Sequence, residues 1–234
     1  MFGPFKQKKK AGIGAVTAAH ENSQAGADLI GFQTESGEQL QDFREQLFDE
    51  LFGDCDSVSH EISPLSPHID VFVYKPGYQG RTFYTLVSSG MSDVPMTLAA
   101  GIPDDYQRAE ILMYVTEPKE EYIHLIRYYA RYPHQYGSYF AQGHTIPNGQ
   151  PAEPYFSPGS LDTVLFISSI LSPDNEFSDR LYEKSGIPVQ LLHLTPITTA
   201  ELEFKLEHGS DRLYDIFDEN NHPFILDETR SSYV

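Results

Sequence analysis

Residues 68–89 read HIDVFVYKPGYQGRTFYTLVSS. Across His68–Lys75, Ile69, Val71 and Val73 point one way and Asp70, Phe72 and Tyr74 the other. That period of two marks a strand. Pro76-Gly77 and Gly80 break the run and Arg81–Ser89 resumes it, so the two segments read as a β-hairpin. A third strand is expected over Gln107–Thr116, with Ala109, Ile111, Met113 and Val115 on one face. The other faces of these strands also carry large apolar groups. A sheet that is apolar on both sides has to be covered on both sides.

Helices are the available covers. Leu40, Phe43, Leu47, Phe48 and Leu51 form one stripe over Ser36–Gly53, with Ser36 and Gln39 spaced as a capping box. Glu120–Arg131 carries Ile123, Ile126 and Ala130 in helical register, and Pro133 is expected to stop it. A second capping box, Thr198 with Glu201, opens a helix ending at Gly209, and Asp211–Phe217 reads as a short helix after it. Val164–Ser169 and Val189–Leu194 read as short buried strands, and Phe224–Leu226 as an edge strand. Residues 54–67 and 133–158 are read as loops. With hairpins and no regular βαβ repeat, the expected fold is α+β: a mixed, largely antiparallel sheet covered by helices on both faces. Residues 1–30, rich in Lys, Gly and Ala, are expected to form a mobile N-terminal arm, and residues 31–234 a single domain.

Fifteen Tyr and fifteen Phe without any Trp make the core unusually aromatic. The net charge is -18. Four lysines lie in the first ten residues, so the remainder holds 12 basic against 34 acidic residues. Such a surface repels nucleic acid and anionic membranes and steers in a basic protein. The same charge also serves solubility alone. One cysteine, Cys55, excludes an internal disulfide and a cysteine metal cluster, as expected in the cytoplasm. No apolar run approaches the roughly 18 residues that span a bilayer.

Two loops draw the search for chemistry: Thr85–Met96, TLVSSGMSDVPM, and Gly143–Gly149, GHTIPNG. Ser92, Asp93, His144 and Glu110 contain the residue types of a hydrolase or small-ligand site. There is no G-x-S-x-G elbow, no phosphate loop and no G-x-G-x-x-G. Ser and Asp in such a turn ordinarily bond the loop backbone. His68 and Asp70 lie on one strand face, but no metal-binding helix spacing accompanies them. No metal and no cofactor is expected.

HIDVFVY, FYTLVSSGMSDVPM, RAEILMY, LIRYYARYPHQY, QGHTIPNG and ELEFKLEHGSD occur in that order between residues 35 and 215. Together they resemble the suppressor-of-fused domain family, in its bacterial single-domain form. The resemblance implies a mixed sheet covered by helices and a protein-binding function without catalysis. Many bacterial members are thought to be immunity proteins against secreted toxins. In the eukaryotic member the partner peptide contacts the equivalent of the helix end and following loop, near Tyr132 and Gly143-His144 here. Gly143 stands where that motif has an acidic residue.

The expected function is therefore a non-enzymatic protein-binding domain, an immunity protein occupying a basic toxin. Its expected contacts are Ser92, Asp93, Tyr132, Tyr136, Tyr139, His144 and Asn148, since Tyr gives area and a hydrogen bond at small entropic cost. The alternatives are a regulatory scaffold, or a small-ligand or hydrolase site around Ser92, Asp93 and His144.

Overall fold

The computed structural model describes residues 35–62 and 64–234. The expected mobile arm, residues 1–30, lies outside them. In chain order the elements are α1 (Glu35–Phe52), β1 (Cys55–Ser59), β2 (Asp70–Tyr74), β3 (Tyr84–Ser89), β4 (Ala109–Val115), α2 (Glu120–Tyr136), β5 (Thr145–Pro147), β6 (Thr163–Ser168), α3 (Phe177–Ser185), β7 (Gln190–Ile197), α4 (Thr199–His208) and α5 (Ser210–Glu219). The strands form one seven-stranded sheet in the order β1-β2-β3-β4-β7-β6-β5. Only the β4–β7 pairing is parallel; the others are antiparallel. The architecture is α+β, as the alternation on both strand faces requires.

The two faces separate by strand parity. Ile69, Val71, Val73, Leu86, Ile111 and Met113 pack under α2, against Tyr122, Ile126 and Tyr129. Tyr74, Val87, Leu112 and Tyr114 face the other way, against α1 and α3 through Leu47, Phe48, Leu51, Phe177 and Leu181. Toward the β5 edge that second face belongs to α4 and α5, where Leu165, Ile167 and Ile197 meet Leu213 and Phe217.

Several boundaries differ from the sequence expectation for physical reasons. α2 runs through Pro133 to Tyr136 and ends at Gly137, which takes the left-handed conformation at φ 60°. Proline removes one ladder donor, and the flanking turns carry the helix past it. β1 falls inside the expected loop, because CDSVS holds one aliphatic residue and shows no alternation. α3 buries only Phe177 and Leu181, too few for a visible stripe. The capping box Thr198/Glu201 opens α4 as expected, with both reciprocal bonds formed.

The tail is the largest difference. β4 and β7 pair only from Ala109↔Gln190 to Leu112↔His193. Beyond that point they diverge, and the tail enters the gap. Ile225 bridges Tyr114 in parallel, and the Leu226 N–H donates to the Tyr114 carbonyl at 2.8 Å. The expected edge strand is thus a wedge inside the sheet. Arg230 pins it: its guanidinium donates to both oxygens of buried Glu201, at 2.7 and 2.8 Å, and to the Pro196 carbonyl at 3.1 Å.

His193 and His222 line this gap and are almost fully buried. Burial pushes the pKa of each down to about 3; Arg230 and His193 add to the effect on His222. The unfolded chain binds protons at these residues near pH 6.5, where the folded chain does not, so their contribution is complete above that pH and is lost as pH falls toward 3. Chemical denaturation should give a stability about 2–3 kcal/mol lower at pH 5.5 than at pH 7.5. His193→Phe should roughly halve that loss.

Candidate partner-binding surface

The TLVSSGMSDVPM loop is built on a buried carboxylate. Glu110, near the start of the central strand β4 and fully buried, accepts hydrogen bonds from the Ser88 hydroxyl (2.5 Å), the Gly90 N–H (3.1 Å), the Ser92 N–H (3.0 Å) and the Ser92 hydroxyl (2.7 Å). Burial pushes its carboxyl up from the ordinary range, while Arg44 and these donors pull the other way. Arg44, also fully buried, reaches in from α1 and lies 3.4 Å from Glu110. It donates to the Ser92 hydroxyl at 2.8 Å and to Asp93 at 2.6 Å, and twice to the Ser89 hydroxyl, at 3.1 and 2.9 Å. Arg108 caps the loop by donating to the Ser92 carbonyl. Gly90 permits the turn: at φ 117°, a Cβ there would lie 1.9 Å from the His68 carbonyl oxygen.

This geometry decides what the loop can do chemically. The Ser92 side chain is fully buried and bonded on both sides. Glu110 is occupied by four donors and a guanidinium, which leaves it no room to act as a base for an incoming substrate. The histidine beside this loop is His134, whose Nε2–H donates to the Met91 carbonyl at 3.1 Å. His144 instead donates from Nδ1 to the Tyr139 carbonyl at 3.3 Å, and its ring meets Tyr139 edge-on at 4.9 Å. His60 hydrogen-bonds Asp70 through Nδ1 at 2.8 Å, and the His68 Nε2 lies 3.1 Å from the same carboxylate. Among the described residues no cluster of His, Cys, Asp and Glu is arranged to hold a metal ion.

The remaining expected contacts gather at the C-terminal end of α2. Tyr132 and Tyr136 lie one turn apart with ring centroids 4.5 Å apart, and Tyr132 also stacks on Phe140 at 5.7 Å. Tyr128, one turn earlier, meets Tyr132 at 6.1 Å. The result is a ladder of three tyrosines with Tyr128 and Tyr136 each about half exposed, at 53% and 51%. Tyr128 was missed, although its i, i+4, i+8 spacing with the other two was visible. Tyr139 is buried. Asn148 closes its own turn: its side chain donates to the Glu153 carbonyl at 2.7 Å, and the Glu153 N–H returns a bond to the Asn148 carbonyl at 2.9 Å. The helix end therefore touches the first loop through His134, and Tyr132 packs on Phe140, three residues ahead of the second. The exposed portion is Tyr128 and Tyr136; Ser92 and Tyr139 lie beneath the surface, and Tyr132, Asp93, His144 and Asn148 are half-buried.

Residues 66–231 match the family model described as Suppressor of fused protein (SUFU). The chain belongs to the suppressor of fused family. The match runs through the C-terminal wedge, which the sequence resemblance left out. The fold agrees with solved relatives. A suppressor-of-fused homologue from Neisseria gonorrhoeae superposes with a TM-score of 0.64 at 20% identity, covering 84% of this chain and 98% of that one. The Sufu–Fu complex gives 0.55 at 14% identity, covering 85% and 92%. Drosophila Suppressor of Fused gives 0.54 at 13% identity, covering 84% of this chain, which spans half the length of that protein. No curated protein matches the chain in sequence. No helix among the described residues is long and apolar enough to cross a membrane.

Removing Arg44 leaves Glu110 and Asp93 without their shared cation. Arg44→Met should cost about 3–5 kcal/mol in chemical denaturation, the range for breaking a buried pair from one side. Gly90→Ala should lower stability by a comparable amount, because both the positive φ and the His68 carbonyl oppose a side chain.

Proposed function

We propose that this chain is a protein-binding domain that works by occupying its partner, in the role of a cytoplasmic immunity protein against a basic toxin. The observation that carries the reading is the ladder Tyr128–Tyr132–Tyr136 on α2, whose two outer members are about half exposed while Tyr132 is half-buried between them. Tyrosines held this way lose little entropy on binding and offer both an apolar ring and a hydroxyl. β5, the element after α2 in the chain, is an outermost strand of the sheet. An outer strand leaves backbone groups for a partner strand, and Pro147 shortens the run that is open. The net charge of -18 favours encounter with a basic protein. Membership of a family with a member solved as the Sufu–Fu complex supports protein binding in general. The toxin and the immunity role rest on the charge and on the bacterial single-domain resemblance. Asp93 and Ser92 belong to this reading as the groups that hold the neighbouring loop in shape, with the partly exposed Asp93 at its rim.

The test is calorimetric titration of the partner captured by the purified domain. Tyr128→Ala and Tyr136→Ala should each weaken binding by about tenfold or more, with melting temperature unchanged. Tyr182→Ala, on α3 and 55% exposed, serves as the control and should bind as wild type. Equal effects at Tyr136 and Tyr182 would remove the ladder from the interface.

A further inference from the structure

Lys205 stands apart in the charge arrangement of an acidic protein. It sits in the last turn of α4 and is 91% buried, with a relative exposure of 9%. Its ammonium donates one hydrogen bond to the described residues, to the Thr145 hydroxyl on β5 at 3.2 Å. No carboxylate of the described residues lies within ion-pairing distance of it. Among the described residues two other basic side chains also lack such a partner, but they are otherwise satisfied. Arg127 donates to the Ile69 and Ser59 carbonyls and to the Ser59 hydroxyl. Arg108 donates to the Ser92 carbonyl and feels the charge of Asp93.

An ammonium has three donors and tolerates burial poorly without a counter-charge. The α4 C-terminus favours a cation there, but the helix dipole is a weak, short-range effect that supplies no acceptor. His144 feels the charge of Lys205 and is the wrong kind of neighbour: the ammonium disfavours a proton on His144, and burial depresses both. Thr145 lies on the outermost strand and its hydroxyl meets the ammonium, so the ammonium lies on the α4 side of β5. A side chain on the same face of an added strand, opposite Thr145, comes within about 4.5–5.5 Å of it at Cβ.

We propose that Lys205 receives a carboxylate from the protein partner, an Asp or Glu side chain on the segment that lies along β5. This rests on the reading of the chain as a protein-binding domain and adds a charge requirement to it. A partner that is basic overall must carry one acidic residue at this point, which separates the right basic protein from others.

The probes are capped peptides Thr-Val-Xaa-Val-Thr with Glu, Ala or Lys at the centre, titrated into the full chain while the Thr145 and Lys205 backbone amides are followed by NMR. The Glu peptide should bind about tenfold more tightly than the Ala peptide, and the Lys peptide more weakly still. Lys205→Met keeps the unbranched chain and removes the charge, and it should abolish the Glu preference. Lys205→Arg should restore it, which separates charge recognition from a packing defect. Equal affinity for the Glu and Ala peptides, or a preference that survives Lys205→Met, would overturn the proposal, as would binding of none of the three at Thr145. Saturation by sodium acetate at the same concentration as the Glu peptide would also overturn it, by assigning the site to free small carboxylates. Each of these failures is distinct from failure at the tyrosine ladder, which is read from the tyrosine variants and the intact partner.

Discussion

The fold depends on a charge pair buried where both layers meet. Glu110 sits at the middle of the sheet and Arg44 at the middle of the helix above it. Neither is tolerable alone in a dry site, and together they are acceptable because Ser88, Ser89, Ser92, Asp93 and two backbone N–H groups complete their shells. Apolar packing alone would let α1 slide along the sheet. The pair fixes its register, and the same bonds fold the loop after β3. The pattern recurs. Arg81 joins Asp174 and, through it, the Tyr114 hydroxyl, tying the segment before β3 to the start of α3. Arg230 joins Glu201 and ties the tail to α4. In each case a guanidinium with a bidentate or branched set of bonds holds segments that are distant in sequence.

Much of the fold was legible because its signals are local. The alternation in DVFVY, the heptad-like run from Leu40 to Leu51 and the Thr198/Glu201 box each lie within one short window. What was hidden depends on partners far along the chain. The sheet has to split before the tail can enter it, and nothing in Phe224–Leu226 distinguishes an edge from a wedge. Arg44 did leave a trace, as a charged residue on the apolar stripe itself, between Leu40 and Leu47. It gained meaning only opposite Glu110, whose charge on a fully buried strand was visible. The stripe also lies ahead of residue 66, where the family match begins. The region of shared sequence is therefore smaller than the unit that has to fold together, since without α1 the central carboxylate loses its cation.

The aromatic residues divide by role in a way that composition could not show. Tyr74, Tyr114 and Tyr129 are in the core, and the first two satisfy their hydroxyls on carboxylates, the exposed Asp49 and the buried Asp174. Tyr128 and Tyr136 are on the surface of the same helix that buries Tyr129. The sequence reading offered Tyr132, Tyr136 and Tyr139 alike as contacts or as packing, and passed over Tyr128. Helical phase does the sorting: residues 128, 132 and 136 form one row, and 122, 126 and 129 form the row below it. Recognition and stability thus use the same residue type on adjacent faces, so changes to the outer row leave the inner row in place.

The wedge between β4 and β7 carries a consequence for biosynthesis. A ribosome delivers the chain from its N-terminus, and the central strands β2, β3 and β4 are available long before residues 222–230. Even after β7 has docked on β4, the gap past Leu112 and His193 stays open until the tail emerges. During that interval the backbone groups of Tyr114 and Pro196 that the tail will satisfy face water or any passing strand. The nascent domain is sealed by its last portion, so its exposure to mispairing on the way is set by the timing of synthesis as well as by the stability of the finished sheet.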